Sequence, residues 1–311
     1  MCSFVAGRGQ RRAPARLAEV GAPRLRQRRS PASRGPVNRK TRDGTAMPKR
    51  YLCAETVTIP EAGLPLALVP GTVTKRPQAS PYDSIAALYD PWSASVTEDV
   101  AFYLEEARRS GGPVVELGVG TGRIAVPIAA DGIRVLGVDS SRGMLDICAR
   151  RAALAGVELD LRVGDLRAPP VDERVPLVIC PFRSYLHLQT DRERRQALAA
   201  ARDLLVPDGR LVFDVFTPGA DDIDETHDRW LEREAGIWER AVWDTTARTL
   251  TLSVRGAETA ETTMALAWID PEEWRALLGE SGFEIEECYG WFDRSPFTGG
   301  EDTIWVARRS S

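Results

Sequence analysis

Three carboxylates stand at the ends of successive apolar runs, and their spacing is that of groups gathered around one ligand. Glu116 sits in Val114-Val-Glu-Leu-Gly-Val-Gly-Thr-Gly122, Asp139 closes the run over residues 133–138, and Asp165 follows the run over 157–163. Glycine tolerates positive φ and lets a ligand approach the backbone, so Gly118, Gly120 and Gly122 after a buried strand describe a loop shaped around a small molecule. The order is strand, tight turn, helix. A dinucleotide fingerprint places its third glycine one position later, where a helix N-terminus meets a pyrophosphate. Glu116, just ahead of the first glycine, would repel that pyrophosphate and suits a cationic group. This points to a nucleoside carrying an amino acid.

Asp139 lies 17 positions beyond Gly122, close to the distance at which a βαβ unit offers a carboxylate to ribose hydroxyls. It also stands where a helix N-cap belongs, because Ser140 and Ser141 follow and a helix is expected to about residue 154. Turns alone do not explain acids at three successive strand ends.

With these residues, the chain resembles the Rossmann-like, class I S-adenosylmethionine-dependent methyltransferases of small-molecule type. Glu-Leu-Gly-Val-Gly-Thr-Gly122 matches their first motif, and Gly137-Val-Asp139, Gly164-Asp165-Leu166 and Leu204-Leu-Val-Pro-Asp-Gly209 match later ones. The likeness runs from about residue 82 to 309. It implies an α/β fold with a seven-stranded, mostly parallel sheet and an antiparallel last strand. It further implies that Gly118, Gly120 and Gly122 line the methionine moiety with Glu116 near its ammonium, and that Asp139 takes the ribose hydroxyls. Ser140 or Met144 would flank the adenine, Asp165 and Leu166 would read its amino edge, and Cys180 and Phe182 would border the cofactor. Met144 also suits a core position, since thioethers fill gaps readily.

The fourth strand, residues 175–181, runs into Cys180-Pro-Phe182-Arg183-Ser-Tyr185-Leu-His187, where an open α/β sheet presents its reacting groups. The Asp/Asn-Pro-Pro-Tyr/Phe signature of base-amine methyltransferases is absent there, which favours a small-molecule acceptor. Methyl transfer from a sulfonium is largely a matter of positioning. Where the acceptor is a hydroxyl or arrives protonated, His187, Tyr185 and Tyr82 are the candidate bases. Helical spacing in Tyr82-Asp-Ser-Ile-Ala-Ala-Leu-Tyr89-Asp90 equally suits packing, and His187 equally suits the core. Arg183 is a candidate for an anionic substrate group or for capping a neighbouring helix.

Helices are expected over residues 93–110, 192–205 and 271–281, the last opened by Asp270 and Pro271. After the fifth strand, residues 210–216, an acidic solvent-facing loop is expected over 219–234. Residues 236–244, 249–255 and 262–268 then alternate at period two, as an inserted antiparallel sheet does. This insert, 219–268, is the candidate acceptor lid, with Trp230 and Trp243 the candidates for lining a cavity. Tryptophans also serve simply to pack such a sheet. Residues 82–218 and 269–311 would form the methyltransferase domain.

Composition sets the remaining bounds. The 311 residues carry 41 Lys or Arg and 45 Asp or Glu, a net charge of −4. Residues 1–46 hold 12 of the basic residues against Glu19 and Asp43, a net of +10, so the rest carries −14. The first 46 residues therefore read as a disordered basic tail, and 47–81 as an irregular, proline-interrupted arm. The tail fits a transit peptide, a nucleic-acid-binding segment, or upstream sequence with Met47 as the start. Its Arg-Ala-Pro-Gly bias favours the last. An acidic body argues against nucleic acid, and no apolar run approaches the roughly 20 residues of a membrane span. Cys2, Cys53, Cys148, Cys180 and Cys288 show no paired spacing, which indicates a reducing, cytoplasmic setting without structural zinc. The expected protein is a monomer or homodimer using S-adenosylmethionine. The competing readings are an NAD-type oxidoreductase and a non-catalytic adenosylmethionine-binding protein.

Overall fold

A computed structural model of the chain describes residues 80–95 and 97–310. The tail at 1–46, most of the arm at 47–81, and Cys2 and Cys53 lie outside the described residues.

Helix α1 (Tyr82–Trp92) leads by a turn into α2 (Glu98–Ser110), so the helix expected over 93–110 begins at Glu98 instead. Strand β1 (Val114–Leu117), helix α3 (Ala125–Ala130), strand β2 (Val135–Asp139), helix α4 (Arg142–Ala155) and strand β3 (Asp160–Val163) follow, then β4 (Val175–Cys180). A 3-10 turn (Ser184–His187) connects β4 to helix α5 (Asp191–Leu204) and strand β5 (Leu205–Phe216). Helix α7 (Pro271–Glu280) and strands β10 (Phe283–Tyr289) and β11 (Asp302–Arg309) close the chain, after an insert holding α6 (Ala220–Thr226), β6 (Trp230–Glu234), β7 (Ile237–Asp244), β8 (Thr249–Gly256) and β9 (Thr262–Ala267).

The main sheet has the order β10-β11-β5-β4-β1-β2-β3. Strand β11 runs antiparallel to both β5 and β10, and the remaining pairings are parallel. The mixed seven-stranded sheet is thus as the sequence implies. Strands β1 and β4 are near-continuous apolar runs because parallel interior strands are covered on both faces. Val114, Val115, Leu117, Leu177, Val178 and Ile179 are all fully buried. The chain order reverses between β1 and β4, which opens a crevice at the carboxyl ends of the strands.

The insert is a separate four-stranded antiparallel sheet, β6-β7-β8-β9. It has one strand more than the alternating pattern suggests. The stretch over 219–234 is not a solvent-facing loop: its first half is α6, with Asp222 and Thr226 buried, and its second half is β6. Along β7 the buried positions alternate as Ile237, Glu239, Ala241 and Trp243, which sets one face of the sheet inward. No helix among the described residues is long and apolar enough to cross a membrane.

Helix α5 begins with a capping box. Thr190 Oγ1 accepts from the Glu193 backbone N–H at 3.2 Å, and Glu193 returns a carboxylate oxygen to the Thr190 N–H. Thr190→Ala is expected to lower stability by about 0.5–2 kcal/mol, measured as a fall in denaturation midpoint, because the Glu193 backbone N–H loses its fixed acceptor.

Candidate active site

The carboxyl ends of β4, β1, β2 and β3 form one row, and a cavity of about 690 Å³ opens along it. That volume is within the roughly 300–1,000 Å³ of small-molecule sites. Gly118 and Gly120 line it from β1, Asp139 and Ser140 from β2, Gly164, Asp165, Leu166 and Arg167 from β3, and Phe182 and Ser184 from β4. Tyr82 and Tyr89 of α1, two helical turns apart, face it from the other side with His187.

The glycine turn is held from outside itself. Gly118, Gly120 and Gly122 have φ of +75°, +54° and +79°, conformations that side chains with a Cβ adopt only at a cost. The Gly120 N–H donates to Asp139 Oδ2 at 2.8 Å, and the Ser141 N–H donates to Oδ1 at 2.8 Å. A carboxylate has about four acceptor sites, so both oxygens keep capacity for a diol. Burial pushes the Asp139 carboxyl up, while the backbone donors pull it down. The N-cap of α4 is Ser141, which accepts from the Met144 N–H, so Asp139 is not the cap. A Cβ on Gly120 would meet nothing closer than 4.0 Å, so the turn leaves open space beside this carboxylate.

At the β3 end, Asp165 is held by Arg167, whose backbone N–H and Nε donate to Oδ1 at 2.8 and 2.9 Å and whose Nη2 donates to Oδ2 at 2.6 Å. These bonds with Arg167 hold the Asp165 carboxyl below its usual range. Arg167 also reaches Glu193 of α5 at 2.5 Å. Both residues line the cavity and were not anticipated, although Arg167 follows Asp165-Leu166 directly.

At the β4 end the aromatic rings meet edge to face: Tyr82 with Tyr89 at 5.9 Å, Tyr89 with Phe182 at 6.1 Å, and Tyr82 with His187 at 5.4 Å. The Tyr82 hydroxyl lies 2.9 Å from His187 Nε2. The Ala265 carbonyl of β9 acts on His187 against the effect of burial, and in the tautomer that donates from Nδ1 the Tyr82 hydroxyl donates to Nε2. Burial lowers the His187 pKa to about 4 and raises that of Tyr82, so the pair is uncharged at neutral pH. Phe182 and Arg183 both have positive φ, +57° and +61°. Two consecutive left-handed residues other than glycine cost roughly 1–2 kcal/mol each.

Several expected site residues lie elsewhere. Glu116 is 2% exposed and lies behind the cavity wall, where burial raises its carboxyl well above the usual range against the pull of Arg123. Gly122 packs on α4, since a Cβ there would come within 2.6 Å of Cys148 Sγ. Cys180 is fully buried within β4. Tyr185 points into the core, stacked 6.1 Å from Trp274 and 5.0 Å from Phe213, because the 3-10 turn sends it to the side opposite His187. Arg183 is ion-paired with Asp302 and lies 4.5 Å over the Phe216 ring. Trp243 is buried in the insert, donating from Nε1 to Thr226 Oγ1 at 2.9 Å, and Trp230 is covered by Arg255 at 4.1 Å and Arg240 at 5.3 Å. None of these seven is on the cavity wall. Met144, Ser140 and Leu166 are.

A family model described as "Methyltransferase domain" matches residues 114–209. A protein of Geobacillus sp. (strain WCH70) named as a methyltransferase is 25% identical over 241 residues, 73% of this chain and 96% of its own. The solved CcbJ methyltransferase of Streptomyces caelestis is 26% identical with a TM-score of 0.66, covering 75% of this chain and 99% of that one. Residues 114–209 thus carry a methyltransferase domain, on a Rossmann-like methyltransferase fold. The same fold occurs at 20% identity and a TM-score of 0.53, over 72% of this chain and 95% of the other, in S-adenosylmethionine-bound CalS10, an amino pentose methyltransferase of Micromonospora echinaspora. The acids and open glycine turn along the strand ends fit the hydroxyl and cationic groups of S-adenosylmethionine, the ligand bound in CalS10.

A charge-assisted hydrogen bond contributes about 1.5–3 kcal/mol, so Asp139→Ala is expected to weaken S-adenosylhomocysteine binding by about 10- to 100-fold in calorimetry. An unchanged affinity would remove Asp139 from the donor site.

Proposed function

We propose that this enzyme methylates a nitrogen or oxygen of a small molecule seated against Tyr82, Tyr89, Phe182 and His187. The observation that carries the reading is the 2.9 Å bond from the Tyr82 hydroxyl to His187 Nε2 at the β4 end of the cavity. In this reading Asp139 holds the ribose of the donor, Gly118 and Gly120 approach its methionine part, and Asp165 and Leu166 take the adenine, with Ser140 and Met144 beside it. Bound S-adenosylmethionine supplies an electrophilic methyl group on a sulfonium.

The protein's part is to aim the acceptor and receive its proton. Tyr82 donates its own proton to His187, so its oxygen lone pairs are available to an N–H or O–H of the acceptor. As the acceptor atom bonds to the methyl carbon and the carbon–sulfur bond breaks towards sulfur, the acceptor proton passes to Tyr82 Oη and the Tyr82 proton to His187 Nε2. A neutral Tyr–His pair suits an acceptor that enters uncharged, because burying an unpaired ammonium there is costly. The aromatic faces also favour the positive sulfonium. An acidic body and a cavity of about 690 Å³ support a small molecule over nucleic acid. The insert, whose Ala265 carbonyl accepts from Gln189 Nε2 just beyond His187, would act as the acceptor lid.

Incubating the enzyme with a metabolite extract and isotopically labelled donor is expected to give labelled small molecules together with S-adenosylhomocysteine. Tyr82→Phe is expected to reduce that turnover by about 10²- to 10⁴-fold, the range for loss of a positioned proton acceptor, with donor affinity little changed. Full turnover in Tyr82→Phe would contradict the proton path.

A further inference from the structure

We infer that Asp214 is a positioning residue for methyl transfer: its carboxylate holds the Phe182–Arg183 turn in its left-handed form and so sets the Phe182 ring at the methyl end of the cavity. The inference rests on the reading under Proposed function, because it assigns a task to the β4 end of that same site.

Asp214 is on β5, opposite Ile304 of β11, and is 5% exposed. Its Oδ1 accepts from the Phe182 N–H at 2.8 Å and from the Tyr103 hydroxyl at 2.5 Å, and its Oδ2 accepts from the Arg183 N–H at 3.0 Å. One buried carboxylate therefore satisfies two consecutive backbone donors, and those two residues are the adjacent non-glycine positions with positive φ. Such a backbone persists only where its surroundings over-determine it. Nothing on the cavity wall performs this task, since Asp214 stands behind the turn. Its product is on the wall: the Phe182 ring borders Tyr89 and lies under Arg123 at 4.8 Å.

Two chemical consequences follow. Asparagine has nearly the same shape but turns one acceptor into a donor, which would face a backbone N–H. Protonation does the same to the native carboxyl, whose pKa burial raises to about 6. The groups facing it are Tyr103 and Asp99 of α2, Cys180 of β4, and Arg183. Tyr103 and Cys180 are shifted upward and stay neutral through this range, so Asp214 is the group that changes charge near pH 6.

The row of strand ends supplies the test. Phe182 is at the β4 end, whereas Asp139 and Asp165 are at the β2 and β3 ends, so adenosine alone reports the latter and S-adenosylmethionine reports both. In calorimetry, Asp214→Asn is expected to lose about five- to tenfold in S-adenosylmethionine affinity, the scale of an aromatic contact to a cation, with adenosine affinity held within about twofold. Backbone amide exchange at Phe182 and Arg183 is expected to accelerate in the same variant. In the wild type the ratio of the two affinities is expected to fall as pH drops through about 6, and in Asp214→Asn to be flat there. Tyr103→Phe, which leaves both carboxylate oxygens to accept from the Phe182 and Arg183 N–H groups, is expected to retain the wild-type ratio. Equal loss of both ligands, no loss of either, or a wild-type ratio without pH dependence would overturn the assignment. Failure of the wild type to bind either ligand would overturn it together with the reading it rests on.

Discussion

The hydrogen bond from Gly120 N–H to Asp139 joins the end of one parallel strand to the end of the next, and this end of the cavity is organised around it. A turn with three positive φ values has little to stabilise it locally. The neighbouring strand supplies that stabilisation through a carboxylate, and parallel pairing of β1 with β2 puts the carboxylate in reach. The same side chain also binds the Ser141 N–H at the start of α4. One acid thus ties two strand-to-helix corners together, leaving its remaining lone pairs directed at the cavity.

Helix α1 converts that cradle into an enclosed site. Asp83 accepts from Ser141 Oγ at 2.7 Å and from the Gly143 N–H at 3.0 Å, and Asp90 accepts from Thr121 Oγ1 at 2.6 Å and pairs with Arg151. At the far end Trp92 Nε1 donates to Glu239 of β7 at 3.0 Å. The helix is therefore fastened to the glycine corner, to α4 and to the inserted sheet. Its two tyrosines form the wall facing the strand ends. The inserted sheet is also fastened at β9, where the Ala265 carbonyl accepts from Gln189 Nε2 at 3.0 Å.

The cavity residues at the ends of β1, β2 and β3 were legible in the sequence because their types report local backbone demands. Alternating glycines mark positive φ, and an acid after a β-branched run marks a strand end, wherever the rest of the chain goes. Glu116 and Gly122 belong to the same motif yet are set back from the cavity, because strand alternation and helix packing claim them. The acceptor side was less legible because its side chains take their roles from distant partners. Arg183 is neutralised by Asp302, 119 positions away, and Trp243 is fixed by Thr226 and packed on Trp268, 5.6 Å off. Tyr185 and His187 are two residues apart, and only the geometry of a 3-10 turn decides which one faces the cavity. Asp214 carries no motif at all; its importance appears only when the backbone conformation of Phe182 and Arg183 is known.

The most direct measurement is a calorimetric titration of the full chain with S-adenosylmethionine and, separately, with NAD. One equivalent of S-adenosylmethionine binding while NAD gives no saturable heat is the result this structure predicts. Saturable NAD binding with none for S-adenosylmethionine would contradict it.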